Sequence, residues 1–402
     1  MAGLIAGLLL LRDDWDVVVY ERSGEELASR GAGITPHRAL FEACAQAGID
    51  FAEAPGVESR GRILLAPDGT VVDRNHTVQA FTSWGLLYRF LRAAFPDERY
   101  RSGHAVTDIV EAPWGVDLRF EDGRRDRVDR VIGADGLRSL VRGIVSPETV
   151  PGYAGYIAWR GLVVESRLPA EFREELERGM TFYLPPGEHC LGYTVAGPHD
   201  TLTRGERWYN WVWYRPLPAG NEFDAVFTDD SGHLHTSGIP PGRIRREWLA
   251  ALRADAQACL PPQFQAAVER TEQPFIQPIV ELASNRLIRG RCVLIGDAAF
   301  TARPHIGLGV SKAAGDAASL ARAMAGNDES IETTMAAWEA ERLAYGQAAL
   351  ARSADLGCYL SGPPGNPQEQ ARYEHFRSAP VVLSQIAAAE IDVVTTSGAE
   401  TA

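Results

Sequence analysis

The chain has 402 residues, 45% of them hydrophobic and 23% charged, a composition suited to a soluble globular protein with room for two or so domains. Its formal net charge is -13 and it carries no polybasic block, which argues against nucleic acid and anionic membrane as partners, since both need a basic face. The five cysteines, Cys44, Cys190, Cys259, Cys292 and Cys358, are scattered with no C-x-x-C pair, as expected of reduced thiols in a cytoplasmic protein.

Residues 1–11 are apolar but lack a basic leading region and a small-residue cleavage site, and Arg12-Asp13-Asp14 ends the run too soon for a membrane span. Leu4, Ile5, Leu8, Leu9 and Leu11 recur at helical spacing, while Gly3 and Gly7 leave room for close approach. A strand over 16–21 follows and ends in Glu21. Helix, tight connection, strand and acid make the second half of a dinucleotide-binding βαβ unit, in which the terminal carboxylate bonds ribose hydroxyls. Gly3 matches the third glycine of G-x-G-x-x-G, and the first strand and first two glycines would lie upstream of Met1. The expectation is a start internal to a longer reading frame; the alternative is a chain that lacks a sheet strand and the pyrophosphate loop.

Arg30-Gly31-Ala32-Gly33-Ile34 is a small-residue loop, followed by a helix over 36–48. Residues 63–65 and 71–72, around Pro67-Asp68-Gly69, signal a hairpin, and 83–95 a helix with Leu87 and Leu91 on one face. Strands are expected over 104–110, 115–120 and 127–132. The last runs into Gly133-Ala134-Asp135-Gly136, where a helix begins. From 152 to 216 aromatic residues crowd into strand-like segments, expected to form a β-rich domain in which at least half of them are packing and the rest line a pocket for a flat ring. Helices over 244–259 and 263–268 precede a strand over 275–281 that returns toward the central sheet.

The apolar run 292–295 suits a strand buried on both faces, and Gly296-Asp297 stops it with a carboxylate at the strand's carboxyl end, where open α/β sheets bind ligands. Pro304 is tolerated in a helix's first turn, and Gly307 and Gly309 let backbone amides come close to a ligand, with a helix amino end suited to anionic oxygens. This second strand-to-helix corner, the first at Asp135-Gly136 and the acid at Glu21 together point to a split cofactor site. A long helix over 331–354 and a Gly/Pro loop over 362–367 follow; the tail says little.

On these residues the chain resembles the single-component FAD-dependent aromatic hydroxylases of the para-hydroxybenzoate hydroxylase type, and within them the 2,6-dihydroxypyridine hydroxylase branch, with an N-terminal truncation. Gly133-Ala134-Asp135-Gly136 with Ser139 and Arg142 is similar to the family's D-G signature, and Gly296-Asp297 to its G-D signature. The branch-level likeness rests on Tyr153-Ala154-Gly155-Tyr156 with Trp159-Arg160-Gly161, on Arg303-Pro304-His305, and on Gly192-Tyr193. The chain departs from relatives at Gly31, Trp84, Phe300 and Leu308, and the histidine that serves as base in the branch falls on Phe41, with His37 nearby in sequence.

The resemblance implies an α/β fold: a Rossmann-like FAD-binding domain lacking its first strand (1–58, 98–150 and 275–330), an inserted β-rich substrate domain (59–97 and 151–274) and a C-terminal helical region (331–402). It implies FAD as cofactor, NAD(P)H as co-substrate and O2, with a small phenolic or hydroxylated N-heteroaromatic ring hydroxylated through a flavin hydroperoxide. FAD-binding residues are then Gly3, Glu21, Arg30, Gly33, Asp135, Gly136, Gly296, Asp297, Pro304, Gly307 and Gly309. Catalytic candidates are His305, His37 and Tyr193, because ionising a ring hydroxyl asks for a base near working pH. Arg160 is either a contact for an anionic substrate or a surface ion pair. No metal is expected: His233-Leu234-His235 lies in a polar loop without an evident third ligand. Residues 211–216 nearly spell the W-x-W-x-I-P motif of flavin halogenases, but Arg215 breaks it. A homodimer is left open, and the alternatives are a non-catalytic flavoprotein remnant or a reductase or halogenase on the same fold.

Overall fold

The computed structural model describes residues 1–24, 33–50, 56–240, 242–325, 331–388 and 391. The opening apolar run folds as the helix Ala2–Arg12, buried along most of its length against the helix Gly309–Met324. Its glycines are there for proximity. A methyl group at Gly3 would lie 3.4 Å from Ala134 Cβ, and one at Gly7 would lie 2.7 Å from the Phe95 ring.

The parallel sheet of this Rossmann-like part is in two pieces. Val19–Glu21 pairs with Tyr100–Ser102, and Val131–Gly133 pairs with Cys292–Leu294, which continues antiparallel to Ile288–Arg289. The strand expected over 127–132 divides between two sheets. Arg125–Val128 joins Gly115–Phe120 and Val106–Ala112 in an antiparallel ribbon, and only Val131–Gly133 enters the parallel sheet. Charged Arg125-Asp126-Arg127 suits an exposed edge, whereas Val131-Ile132 suits a covered one, and a single apolar count over the whole run merges them.

The larger sheet has eight strands in the order Phe300–Thr301, Phe275–Ala283, Gly152–Val164, Trp208–Pro216, His189–Val195, Met180–Tyr183, Arg62–Leu65 and Val71–Asn75. Phe275–Ala283, expected to return to the central sheet, instead pairs with Gly152–Val164, whose thirteen residues and bulge between 153 and 157 let one strand serve two neighbours. Side chains alternate across it. Ile157, Trp159, Trp211 and Trp213 lie under the helices Arg246–Cys259 and Pro262–Glu269, while Tyr156, Ala158, Tyr193 and Tyr214 belong to the opposite face. Aromatic crowding in the sequence therefore records a core on one face and a lined cavity on the other.

The tail holds two further helices, Pro367–Phe376 and Ala379–Gln385. Their signal was present in the sequence. Asn366 caps the first by accepting from the Glu369 amide at 2.9 Å, and its side-chain amide returns a bond to the Glu369 carboxylate, with Pro367 at the first helical position. Among the described residues no helix is long and apolar enough to cross a membrane, and all five cysteines are free thiols.

Gly161 sets the thickness of the layer beneath the large sheet. A methyl group there would lie 2.6 Å from Trp211 Nε1 and 2.7 Å from Thr271 Cγ2, across the indole N–H bond that Trp211 donates to Thr271 Oγ1 at 2.8 Å. Gly161→Val is expected to lower unfolding stability by about 1–3 kcal/mol in urea titrations; an unchanged midpoint contradicts this packing.

Candidate active site

The corner after Cys292–Leu294 turns at Gly296, whose φ of 64° is a left-handed conformation that favours glycine. A methyl group at Gly296 would also lie 3.0 Å from Ala2 Cβ. Its amide donates to Asp316 Oδ2 at 2.9 Å, from the middle of the helix Gly309–Met324. Asp316 is buried, and Arg342 clasps its other oxygen with Nε at 2.9 Å and Nη2 at 2.5 Å, while Lys312 Nζ lies 3.4 Å away. Burial alone would raise this carboxyl; Lys312 and Arg342 outweigh it and hold it below the ordinary carboxylate range. The sequence reading missed this cluster, although Lys312 and Asp316 stand out as charges four apart in a helix of small residues.

That anchoring turns Asp297 outward, into a cavity of about 1190 Å³ also lined by Gly33, Ile34, Thr35, Trp84 and the segment from Ala302 to Val310. The Asp297 carboxylate is exposed to the cavity and accepts no protein hydrogen bond among the described residues. Crowding by the cavity walls pushes its carboxyl up, opposed by Lys312 and by the amino group of Met1. Pro304, Gly307 with φ 66°, and Gly309 bring the amino end of Gly309–Met324 to the same wall, where its unpaired amides face the cavity. A methyl group at Gly309 would meet nothing within 4 Å, so this backbone is open to a ligand.

The other corner is placed differently. The Asp135 carboxylate accepts from the amides of Leu140 at 2.7 Å and Val141 at 3.3 Å, capping the helix Leu140–Val145 with Ser139, and neither Asp135 nor Gly136 lines the cavity. Arg142 joins the two corners, its guanidinium donating to Leu137 O at 2.5 Å and, across the fold, to Ala298 O at 3.2 Å. Glu21 stands at the end of its strand, and it and Asp297 both act electrostatically on the Met1 amino group, so the two acids flank the head of the first helix. Gly3 contacts the Asp135 corner rather than the cavity. Arg30, and Gly31 beside it, lie outside the described residues.

The catalytic candidates are brought to one region, although His37 does not itself line the cavity. Tyr193 stacks on Phe81 at 4.2 Å, and its ring fills the space left by Gly33, where a methyl group would lie 2.4 Å away. His305 Nε2 shares a hydrogen bond with Tyr156 OH at 2.8 Å, and His189 Nδ1 shares one with Tyr359 OH at 2.6 Å. Burial, with neighbouring positive charge, holds His305 well below the ordinary imidazole range, His189 at about 3 and His37 at about 4. Burial thus favours the neutral ring at each, which does not suit a base matched to pH 7.

One wall comes from the far end of the chain. Ile386 and Ala387 line the cavity opposite Gly307, and the Ala387 amide donates to His305 O at 2.7 Å. Arg62, fully buried, donates to Ile386 O at 2.7 Å, to Leu383 O at 3.3 Å and to Gln79 Oε1 at 2.5 Å, an unusual use of a buried guanidinium to hold backbone carbonyls. Trp84 stacks on Tyr88, Phe300 is buried against Gly346, Leu308 lines the cavity, and Phe41 is exposed. The halogenase-like run places Trp211 and Trp213 under helices, away from the cavity. His235 pairs with Asp229 at 2.9 Å in its loop.

Comparison with known proteins gives the same site a lineage. A family model described as FAD binding domain-like matches residues 153–281, and one described as FAD binding domain matches residues 267–353. The chain is 29% identical over 377 residues to the 2,6-dihydroxypyridine 3-monooxygenase of Paenarthrobacter nicotinovorans, covering 91% of this chain and 92% of that one. The solved structure of 2,6-dihydroxypyridine-3-hydroxylase from Arthrobacter nicotinovorans superposes with a TM-score of 0.84 at 28% identity, over 91% and 93% of the two chains. These likenesses make the chain an FAD-dependent aromatic hydroxylase. It is also 24% identical over 348 residues to the 6-hydroxynicotinate 3-monooxygenase of Pseudomonas fluorescens, 81% of this chain and 80% of that one. HpxO of Klebsiella pneumoniae, complexed with FAD and uric acid, shares the fold at a TM-score of 0.72 and 22% identity over 95% and 94% of the chains.

FAD is the hydroxylase's cofactor, and NAD(P)H is the electron donor typical of the family. The residues present fit a flavin nucleotide on an observation of their own: an unpartnered carboxylate, suited to ligand hydroxyls, shares one cavity wall with open backbone at a helix amino end, suited to anionic oxygens.

Arg342→Leu is expected to destabilise the hydroxylase by about 3–5 kcal/mol at neutral pH, because it leaves a buried carboxylate half-paired. Since the folded-state carboxyl lies below its unfolded value, this loss is full above about pH 4 and narrows as acidification protonates Asp316. Denaturant titrations of both proteins across that window check it; a constant difference contradicts the pairing.

Proposed function

We propose that this hydroxylase adds one oxygen atom to a small hydroxylated N-heteroaromatic ring of the dihydroxypyridine kind. The observation that carries the reading is a single cavity in which a polar cofactor wall, Asp297 and the head of Gly309–Met324, faces the aromatic sheet face of Tyr193 and Tyr214. The names of the relatives, acting on 2,6-dihydroxypyridine and 6-hydroxynicotinate, support the ring class.

In this reading Asp297 would accept from cofactor hydroxyls, and the amides from Leu308 to Val310 would receive the polar edge of the flavin. Glu21 and the Asp135 corner complete the nucleotide half. FAD, once bound and reduced by NAD(P)H, supplies the activation of O2. The chain's own part is orientation and the exclusion of water. Met180, Leu191, Val212 and Ile386 give the ring an apolar enclosure. Neutral His305, held by Tyr156, orients the ring by hydrogen bonding, and Tyr193 closes the side next to Gly33. Of the described residues, those within 1–58, 98–150 and 284–330 serve the flavin, those within 59–97 and 151–283 the ring, since Phe275–Ala283 belongs to the large sheet, and the helices between Ile331 and Gln385 close the site from outside. The five free thiols support a reducing, cytoplasmic setting.

FAD-loaded protein is expected to oxidise NADH or NADPH faster when 2,6-dihydroxypyridine is added, and to release a product heavier by one oxygen atom. Stimulated oxidation that yields only hydrogen peroxide with every hydroxypyridine offered, or a product formed only with halide, would overturn the reading.

A further inference from the structure

Ile386 and Ala387 bridge the two walls of the cavity. Ile386, 1% exposed, belongs to the same packed apolar group as Met180, Leu191 and Val212 and lines the cavity with them. Ala387 rests on the cofactor side: its amide donates to His305 O at 2.7 Å, and a methyl group at Gly307 would lie 2.9 Å from its Cβ. Its φ is 53°, a left-handed conformation that costs free energy in a residue with a side chain and persists only where the surroundings impose it. Arg62 imposes it from the sheet side. Standing in the strand Arg62–Leu65 and buried, it donates through Nη1 to Ile386 O at 2.7 Å and Leu383 O at 3.3 Å, and through Nη2 to Gln79 Oε1 at 2.5 Å and Ala387 O at 3.5 Å. Gln79 Nε2 in turn donates to Ala387 O at 2.7 Å. Arg62 has no carboxylate partner among the described residues, and its buried Nε has no acceptor. A buried cation without a counter-ion is costly, and what this one gains is a set of backbone carbonyls gathered on its fork.

We infer that Ile386 is a specificity-determining residue that limits the cavity to a single ring, and that Arg62, with Gln79, is the positioning residue that holds it there. This rests on the proposed function and deepens it. The helix Ala379–Gln385 ends just before Ile386, whose amide reaches back to Val382 O at a long 3.4 Å, and no strand pairing fixes 386–387. The clamp therefore decides how far Ile386 stands into the cavity. An apolar wall discriminates by volume, and a close-packed one admits a fused ring only if it moves. Arginine suits the task because its planar fork reaches the carbonyls of 383, 386 and 387 together, which a lysine ammonium on its flexible stem does less well. Burial lowers the guanidinium to about 10, which leaves it a cation at neutral pH. A segment tied to both walls also keeps water from the space between them.

The test is calorimetric titration of FAD-loaded protein with 2,6-dihydroxypyridine and with 2,4-dihydroxyquinoline, a hydroxylated pyridine carrying one fused ring. Wild type is expected to prefer the single ring by roughly tenfold or more, and Ile386→Ala to raise the affinity for the fused ring relative to the single one by about tenfold. Arg62→Met, which keeps the bulk of the stem but not the clamp, is expected to move the ratio in the same direction. With 2,6-dihydroxypyridine it also diverts NAD(P)H oxidation from hydroxylated product to hydrogen peroxide. Arg62→Lys, which keeps the charge and three donors, falls between wild type and Arg62→Met. Gln79→Leu removes the second bond to Ala387 O, is expected to shift the ratio likewise, and serves if the Arg62 variants do not fold. A wild type that binds both rings equally, or a ratio unmoved by Ile386→Ala, overturns the wall and leaves the substrate reading standing. A ratio moved by Ile386→Ala but by neither clamp variant overturns the role of Arg62. Failure of wild type to bind either ring overturns the substrate reading, and the wall with it.

Discussion

The buried carboxylate of Asp316 is the constraint on which the site depends. It accepts the Gly296 amide and the Arg342 guanidinium and lies beside Lys312, so one side chain fixes the strand corner, the helix that follows it and the long helix Ile331–Leu356. With Gly296 pinned in a left-handed turn, Asp297 has nowhere to go but the cavity. A carboxylate on the cavity wall is thus positioned by a buried one nineteen residues later, and the interaction that does so is dry and fully paired.

The two strand-to-helix corners were legible because each concentrates several signals: an apolar run, a glycine, a carboxylate and a helix that follows. What Asp135 does locally was not. From sequence it reads as a cofactor ligand equivalent to Asp297, yet its carboxylate is occupied by the amides of 140 and 141. A residue type at a corner tells that hydrogen bonds will be accepted there, not from which side. The same limit applies to the aromatic stretch. Alternation along Trp208–Pro216 sends Trp211 and Trp213 one way and Tyr214 the other, and only the partner layers decide which direction is cavity. The Arg342–Asp316 pair and the Arg62 clamp join residues far apart in the chain, and no local pattern announces such pairs.

Charge placement separates the two walls of the cavity. The cofactor wall offers a carboxylate and helix amides, and the sheet wall offers Arg160 with two tyrosines. The imidazoles that looked like bases in the sequence are buried as neutral rings. His305 follows Pro304 on the cavity wall and His37 stands just before the helix Arg38–Gln46, and at both desolvation suppresses protonation.

The account turns on Asp297 reaching a bound flavin nucleotide from its pinned corner. Titrating FAD into cofactor-free wild type and Asp297→Ala, followed by flavin fluorescence, tests this most directly. The account predicts affinity at least about tenfold weaker in the variant, with an unchanged far-ultraviolet circular dichroism spectrum, as expected when a carboxylate that accepts ligand hydrogen bonds is lost. Equal affinity in the two proteins would contradict it.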